Sequence, residues 1–506
     1  MTGPSVARAL AGTPVGPPEA TTIEPTALVA FSRLNEQGIG CTLWKGTIRL
    51  HANLWGGGDL DLLVRANELG RVRRVLETSG WQCASGDVGC GAQPVEDQFL
   101  VDGTTGRIVH LDVCTRLRPE GFARELPEVW HELLLDRWRV TKDGVPHPGP
   151  AVEAALLLLR LTRESHRMGG LVRVRRRRPL HQRRAELAWL LEQTAEQTVL
   201  EILGAAIPGE ALPSATAALR APDRHRLARL RRKLGPAYGP FWPVVSHLVA
   251  APGTLRRVRR AVNTRWLHRP VPLGRGLPGG GRVVAVVGSD GSGKSTLVRR
   301  LTGEYTAKFD TLELYLGSGD GPASMLRLPM KLAHRALRPG KDVPSSSRGT
   351  ERRALSLARA VWAFTLAREK RQRLQRAHLA RSRGLLVICD RYPQVQFPGE
   401  NDGPLLSGWD TARSPLLRWL ARIERRPYVL AGTLAPDLVL ILDVDAVTAR
   451  RRRPGSTEAY LAHRGSLVRG LHWDPARTRV VTLDATESPD EVFRSASLAI
   501  WEARPS

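Results

Sequence analysis

Short, wholly apolar runs separated by longer helical stretches dominate the second half of the chain. Val283–Val287 (VVAVV) is β-branched at four of five positions, the pattern of a central parallel strand covered on both faces. A helix is predicted from Gly293 to about Thr302 and a strand over Leu312–Leu316, with further strands at Leu385–Cys389, Leu438–Leu442 and Val480–Leu483. Strands alternating with helices give the rhythm of an α/β, doubly wound parallel sheet. Between the second and third of these strands lie a Ser/Pro/Gly loop, Pro339–Thr350, and a very basic helix from about Glu351 to Arg381.

The first half reads differently. Thr26–Glu36 is an amphipathic helix, Cys41–Trp44 and Asp61–Val64 are short strands, Leu69–Ser79 is a helix ended by Gly80, and Val109–Val113 is a further strand. Residues 25–150 therefore suggest a small α/β domain. From Ala151 the pattern turns helical, with apolar segments at Val152–Leu161 and Ala185–Leu191, so 151–268 is expected to be a helical region. The basic run Arg173–Arg178 reads as a solvated or loop segment. Arg269–Arg282 (RPVPLGRGLPGGGR) is too rich in Pro and Gly for a regular element and marks a linker before the domain at 283–506. Residues 1–24 are expected to be disordered.

Length and composition support this division. A chain of 506 residues exceeds what one core holds, and 42% hydrophobic with 25% charged residues is an ordinary globular balance. Seventy-six Lys and Arg against 49 Asp and Glu leave a formal charge of +27. Most of these cations are arginines spread through predicted helices, so they read as solvated faces, and no specific nucleic-acid partner is expected. The five cysteines (Cys41, Cys83, Cys90, Cys114, Cys389) form no Cys-x-x-Cys pair and no zinc spacing, which points to a reduced, cytoplasmic setting. No apolar run reaches the ~18 residues of a membrane span, and the first residues lack the pattern of a signal peptide.

The chemistry concentrates in three places after residue 283. Gly288-Ser289-Asp290-Gly291-Ser292-Gly293-Lys294-Ser295-Thr296 satisfies G-x-x-x-x-G-K-[ST] between a predicted strand and a predicted helix. Its glycines let backbone N–H groups turn inward onto phosphate oxygens, Lys294 neutralises the β and γ phosphates, and the Ser295 hydroxyl suits Mg²⁺, so ATP and Mg²⁺ are the expected cofactors. Asp390 ends a predicted strand at the edge where open α/β sheets bind ligands, which makes it a second Mg²⁺ candidate; Arg391 beside it could grip an acceptor phosphate. Asp443 and Asp445 follow the next strand and lead to Arg450–Arg453, of which Arg450 and Arg452 are candidates for the transferring group.

These pieces, with Pro436–Val444 (PDLVLILDV) and Val480–Ala485 (VVTLDA), resemble the thymidylate kinase family of nucleoside monophosphate kinases over about Arg282–Ala503. The resemblance implies that Asp290 approaches the acceptor's sugar hydroxyl, Arg391 its phosphate, and arginines within Arg450–Arg453 the moving phosphoryl group. Two segments depart from the family pattern. Tyr315–Pro322 stands where a T-R-E-P-G-like segment is usual, and Pro393–Glu400 replaces the positions that hold thymine, which leaves the acceptor open.

In the first half, Asp59 and Asp61 lie two apart on one strand face and Asp112 sits in a later strand. Three converging carboxylates can hold two divalent metals and activate an oxygen against a nucleotide phosphate. Trp44-Lys45-Gly46-Thr47, G-D-x-D-L-L-V at Gly58–Val64, and His110 near Asp112 resemble the nucleotidyltransferase superfamily over about Pro25–Gln193. The leading expectation is an ATP-dependent kinase acting on a small-molecule or nucleotide acceptor, fused to a nucleotidyltransferase-like domain. The alternatives are a nucleotidyltransferase with a subordinate phosphate-loop domain, and a nucleotide-dependent regulator that binds nucleic acid.

Overall fold

The computed structural model describes residues 24–84, 95–118, 125–164, 180–235, 238, 272, 274–317 and 348–503. The expectations for residues 1–23, Cys90, Arg173–Arg178 and most of Pro339–Thr350 lie outside these. The chain divides into two compact units between positions 261 and 262. Among the described residues no helix is long and apolar enough to cross a membrane.

In the first unit, α1 (Leu28–Glu36), β1 (Cys41–Leu43), α2 (Leu50–Leu54), β2 (Asp59–Val64), α3 (Leu69–Thr78), β3 (Gln82–Cys83), β4 (Val95–Val101) and β5 (Ile108–Cys114) follow in order. They build a sheet ordered β1-β2-β5-β4-β3, in which only β2 and β5 run parallel. Phe31 and Leu34 of α1 and Val72 and Leu76 of α3 cover one face with Leu62, Val64 and Leu111. Side chains alternate along a strand, so Leu63 and Cys114 face the other way. There they share a core with Trp44 and with α4 (Glu128–Asp136), α5 (Pro150–Glu164), α6 (Leu180–Leu191), α7 (Glu196–Ala206), α8 (Leu212–Arg220) and α9 (Arg224–Lys233). A hairpin of β6 (Trp138–Val140) and β7 (Pro146–Pro148) precedes α5. The helical stretch is thus the second layer over the sheet. β4 was not legible in the sequence, and β2 starts at Asp59 rather than Asp61.

The second unit contains β8 (Arg282–Gly288), α10 (Lys294–Lys308), β9 (Thr311–Tyr315), α11 (Arg348–Ser382), β10 (Leu386–Asp390), α12 (Pro415–Thr433), β11 (Leu438–Asp443), α13 (Ala446–Arg452), α14 (Glu458–Arg469), β12 (Arg479–Asp484) and α15 (Pro489–Glu502). All five strands are parallel in the order β12-β11-β8-β10-β9. Every residue of β8 is buried, as its unbroken apolar run requires, and neighbours pair with it on both sides. Val283, Ala285 and Val287 face Leu374 and Ala377 of α11 and Val468 of α14. α10 packs with α15, and Tyr305 donates its hydroxyl to the Ser497 carbonyl at 3.1 Å. Two expected boundaries shift. Arg282, assigned to the linker, opens β8 with a buried guanidinium on the carbonyls of Ile500 (2.7 Å) and Pro278 (2.5 Å). Arg348, Gly349 and Thr350, assigned to a loop, lie in α11.

Candidate functional site

β8 is central and its neighbours β10 and β11 come from later in the chain, so a crevice opens beyond its carboxyl end, where doubly wound sheets place ligands. The residues Gly288–Ser295 sit there. A Cβ on Gly288 would lie 2.6 Å from Ser292 Oγ and 2.9 Å from the Leu442 carbonyl, so only glycine lets the strand pass into the turn. Gly293 precedes α10 at φ +88°, a conformation costly for residues with a Cβ. Ser289 and Ser292 are buried, Gly291 lies between them, and Thr296 is exposed on the first turn of α10.

Lys294 is 6% exposed and donates to the Ser289 carbonyl at 2.5 Å. Its ammonium is pulled down to about 8, chiefly by burial and also by Arg391, against the opposing pull of Asp290 and Asp390. Ser295 Oγ donates to Asp390 Oδ2 at 2.8 Å. The other oxygen, Asp390 Oδ1, is buried without a hydrogen-bond partner, as is Ser292 Oγ. A hydroxyl and a buried carboxylate with a spare oxygen, side by side, fit a hard divalent cation.

Arg391 follows β10 in the left-handed region at φ +71°. Its Nη2 meets Asp290 Oδ1 at 3.0 Å and its Nη1 meets Asp402 Oδ2 at 3.3 Å. Burial acts to lower its pKa, but Asp402, Tyr315 and Asp290 raise it and prevail. Asp290 also meets Arg453 Nη1 at 3.4 Å; burial raises its carboxyl, and Arg391, Lys294 and Arg453 outweigh that and hold it below the usual range.

The two arginines singled out from the sequence point elsewhere. Arg450 pairs with Glu458 at 3.7 Å, and Arg452 donates to the Ala485 carbonyl at 2.8 Å; Arg453, one residue on, is the member of the run that meets Asp290. Asp443 pairs with Arg469 at 2.8 Å, and Asp445 caps α13 by accepting from the Thr448 N–H. Asp402 carried no sequence signal.

In the first unit, register places Asp61 opposite Asp112 and Asp112 opposite Asp97, three carboxylates in a row across β2, β5 and β4. Asp59 lies opposite His110 and is more than half exposed. His110, buried and stacked on Phe99 with ring centroids 4.5 Å apart, meets Asp59 through Nδ1 at 2.8 Å. Its Nε2 lies 3.0 Å from Asp97 and 2.8 Å from Asp112. Burial opposes the imidazolium, yet Asp112, Asp59 and Asp97 together push its pKa up to about 10. Lys45 Nζ lies 2.7 Å from Asp61. Ligand atoms of Asp97, His110 and Asp112 fall within 4.8 Å of one another, a spacing suited to a metal. The sequence-predicted trio is therefore split, with Asp61 and Asp112 adjacent, Asp59 turned to His110, and Asp97 added from the unrecognised β4.

At the Lys45-Gly46-Thr47 turn the N–H groups of Gly46 and Thr47 both donate to Glu153 Oε1 of α5, at 2.7 and 3.1 Å. Glu153 is 4% exposed and its carboxyl is raised by burial, which the bonds from Thr47 and Gly46 partly offset; its Oε2 has no partner.

A glycine-rich turn leaving the middle strand of a parallel sheet, with a buried lysine at the head of the next helix, marks the second unit as a P-loop kinase-like region. The chain belongs to the family of the Escherichia coli (strain K12) proteins YghR and YghS, both described as uncharacterized ATP-binding proteins. It is 32% identical to YghR over 231 residues, covering 44% of this chain and 87% of YghR, and 30% identical to YghS over 236 residues, covering 44% and 93%. It is also 29% identical over 244 residues to a thymidylate kinase of Bradyrhizobium sp. (strain BTAi1 / ATCC BAA-1182), covering 46% of this chain and 93% of that enzyme. No protein-family model matches the chain.

Proposed function

We propose that the chain is an ATP-dependent phosphotransferase of the nucleoside monophosphate kinase type, with a small phosphorylated or hydroxylated acceptor. The observation that carries this is the cluster of Lys294, Ser295 and Asp390 at the carboxyl end of the central strand. The ATP-binding relatives and the thymidylate kinase support it. In this reading the amides of residues 289–293 and Lys294 cradle the ATP phosphates, and Ser295 and Asp390 hold Mg²⁺. The metal would supply neutralisation of phosphate charge. Arg391 and Arg453, both on Asp290, stand where charge on the moving group needs cations. Sites of this kind take small molecules, and free thiols at Cys41, Cys83, Cys114 and Cys389 suit the cytoplasm.

The test follows the label. Incubation with acceptor candidates (nucleoside monophosphates, sugars and amino sugars) should move the γ-phosphate of ATP and leave the α-phosphate on adenosine. Transfer of the α-phosphate with pyrophosphate release would assign the chemistry to the first unit instead.

A pH signature belongs to the same site. With its pKa near 8, Lys294 is partly deprotonated in the free protein at that pH, and neighbouring polyphosphate favours the charged form. ATP binding at pH 8 should therefore take up protons, and affinity should fall as pH rises from about 8 towards the ordinary lysine value. Calorimetry in buffers of different ionisation enthalpy reads the uptake directly; identical heats in all of them would count against it.

The row of Asp61, Asp112 and Asp97 favours a second reading for the first unit, as a nucleotidyltransferase-like domain in which these carboxylates hold divalent metal. The Gly46 and Thr47 amides are the place for a triphosphate in that reading, and Glu153 already uses them. Glu153→Gln weakens this hold, because a neutral oxygen accepts less strongly than a carboxylate. In a Lys294→Ala background, which silences the phosphate loop, the substitution should raise the affinity for a fluorescent ATP analogue about tenfold. No gain would mean that these amides do not receive phosphate.

A further inference from the structure

The segment after β10 is tied together by one side chain. Gln394, buried, donates through Nε2 to the carbonyls of Phe397 (3.1 Å), Glu400 (2.8 Å) and Asn401 (3.1 Å), and its Oε1 accepts from the Phe397 N–H at 2.7 Å. The packing is close enough that a Cβ on Gly403 would lie 2.2 Å from the Phe397 carbonyl. Within this loop Asn401 and Asp402 both adopt left-handed backbone, at φ +42° and +65°. Asn and Asp tolerate that region best among residues with a Cβ, but two in succession persist only where the surroundings enforce them.

Lys370 does the enforcing. It enters from α11 with its side chain 1% exposed, donates to the Asp402 carbonyl at 2.9 Å, and lies 3.9 Å from Asp402 Oδ1. Its ammonium also sits 4.8 Å over the Tyr428 ring. The Asp402 side chain, 7% exposed, is thereby fixed with Oδ2 towards Arg391. The two arms of the Arg391 guanidinium are divided between Asp402 and Asp290. One partner is clamped from behind, while the other belongs to the phosphate loop and is shared with the half-exposed Arg453.

We propose that Asp402, held by Lys370, is a positioning residue that fixes the Arg391 guanidinium against the phosphate loop, ready for the transferring or accepted phosphate. It touches neither donor nor acceptor and acts through Arg391. The proposal rests on the kinase reading above, and it gives the loop that departs from the thymidylate kinase pattern a task.

The test uses the full chain and ATP, with water as acceptor, following release of γ-³²P phosphate. Asp402→Asn keeps the shape and removes the charge. Turnover should fall about 10- to 100-fold while KM for ATP stays within about twofold, the signature of an interaction made in the transition state. In the Arg391→Ala background the same substitution should cost almost nothing, because a residue that acts through Arg391 has nothing left to orient. Asp402→Glu, which restores the charge, should recover part of the rate. An Asp402→Asn effect that persists undiminished beside Arg391→Ala, or no effect in the parent chain, overturns the proposal. Thermal melts identify any variant that fails to fold, and Lys370→Gln, remote from the phosphates, then supplies the same kcat-selective loss or refutes it. A parent chain with neither ATP hydrolysis nor magnesium-dependent ATP binding overturns the kinase reading itself.

Discussion

Lys294→Ala is expected to leave a folded protein whose ATP-dependent phosphoryl transfer is slower by about 10²- to 10³-fold, the scale of losing one preorganised cation or donor at the developing charge. The fold should not suffer. Lys294 is buried, and the depression of its pKa to about 8 means that the folded state disfavours its charge relative to the unfolded chain. The sign is that of a base with a lowered pKa: the native state binds fewer protons than the unfolded one between about 8 and the ordinary lysine value, so this group's cost to stability is fully present below pH 8 and relieved above it. Removing the ammonium removes that cost. Without nucleotide, the melting temperature at neutral pH should match or exceed that of the parent, while ATP no longer raises it. A large drop in melting temperature would show that the Ser289 carbonyl depends on Lys294.

The largest effect on stability is expected at Asp437, just before β11. Its carboxylate, with its side chain 1% exposed, receives the Val283 N–H at 2.8 Å and a two-pronged contact from Arg381 at 2.7 and 2.9 Å. One side chain thus ties the end of α11 to the start of β8 and the start of β11. Asp437→Ala leaves a strand N–H and a guanidinium without their acceptor, and breaking such a pair costs about 3–5 kcal/mol. At about 2–4 °C per kcal/mol for a domain of this size, melting should fall by roughly 10 °C. Arg381→Ala should cost less, since Arg381 is about a quarter exposed and water can replace it. A shift for Asp437→Ala below about 2 °C would remove it from the framework.

What the sequence disclosed depended on how local the cause was. The run Val283–Val287 is apolar because both its faces are covered, and the glycines after it answer steric demands within a few residues, so strand, loop and following helix could all be placed in advance. Ser295 beside Asp390 was foreseeable for a related reason: doubly wound sheets bring those strand ends together. Arg453 instead of Arg450 or Arg452 is a matter of where α13 stops: Arg453 is the first residue past the helix, at φ −138° and ψ 78°, and a run of four arginines does not reveal that end. Asp97 escaped because V-E-D-Q-F-L-V does not alternate cleanly, and without β4 its place beside Asp112 is invisible. Asp402 depends on backbone that only the folded loop enforces and on a lysine 32 positions earlier. Glu153 lies within an apolar helix and reads there as an incidental charge; only the fold sets it beneath a turn more than a hundred residues away.

That last contact bears on how the first unit meets any ligand. The carboxylate of Glu153 is tethered to the amides it occupies, so it competes at an effective concentration of order millimolar or higher, whatever the protein concentration. In the nucleotidyltransferase-like reading proposed above, an incoming phosphate would have to displace this resident group, which would favour a multidentate ligand over a weak or scarce one. The same two bonds hold the Gly46–Thr47 turn in shape.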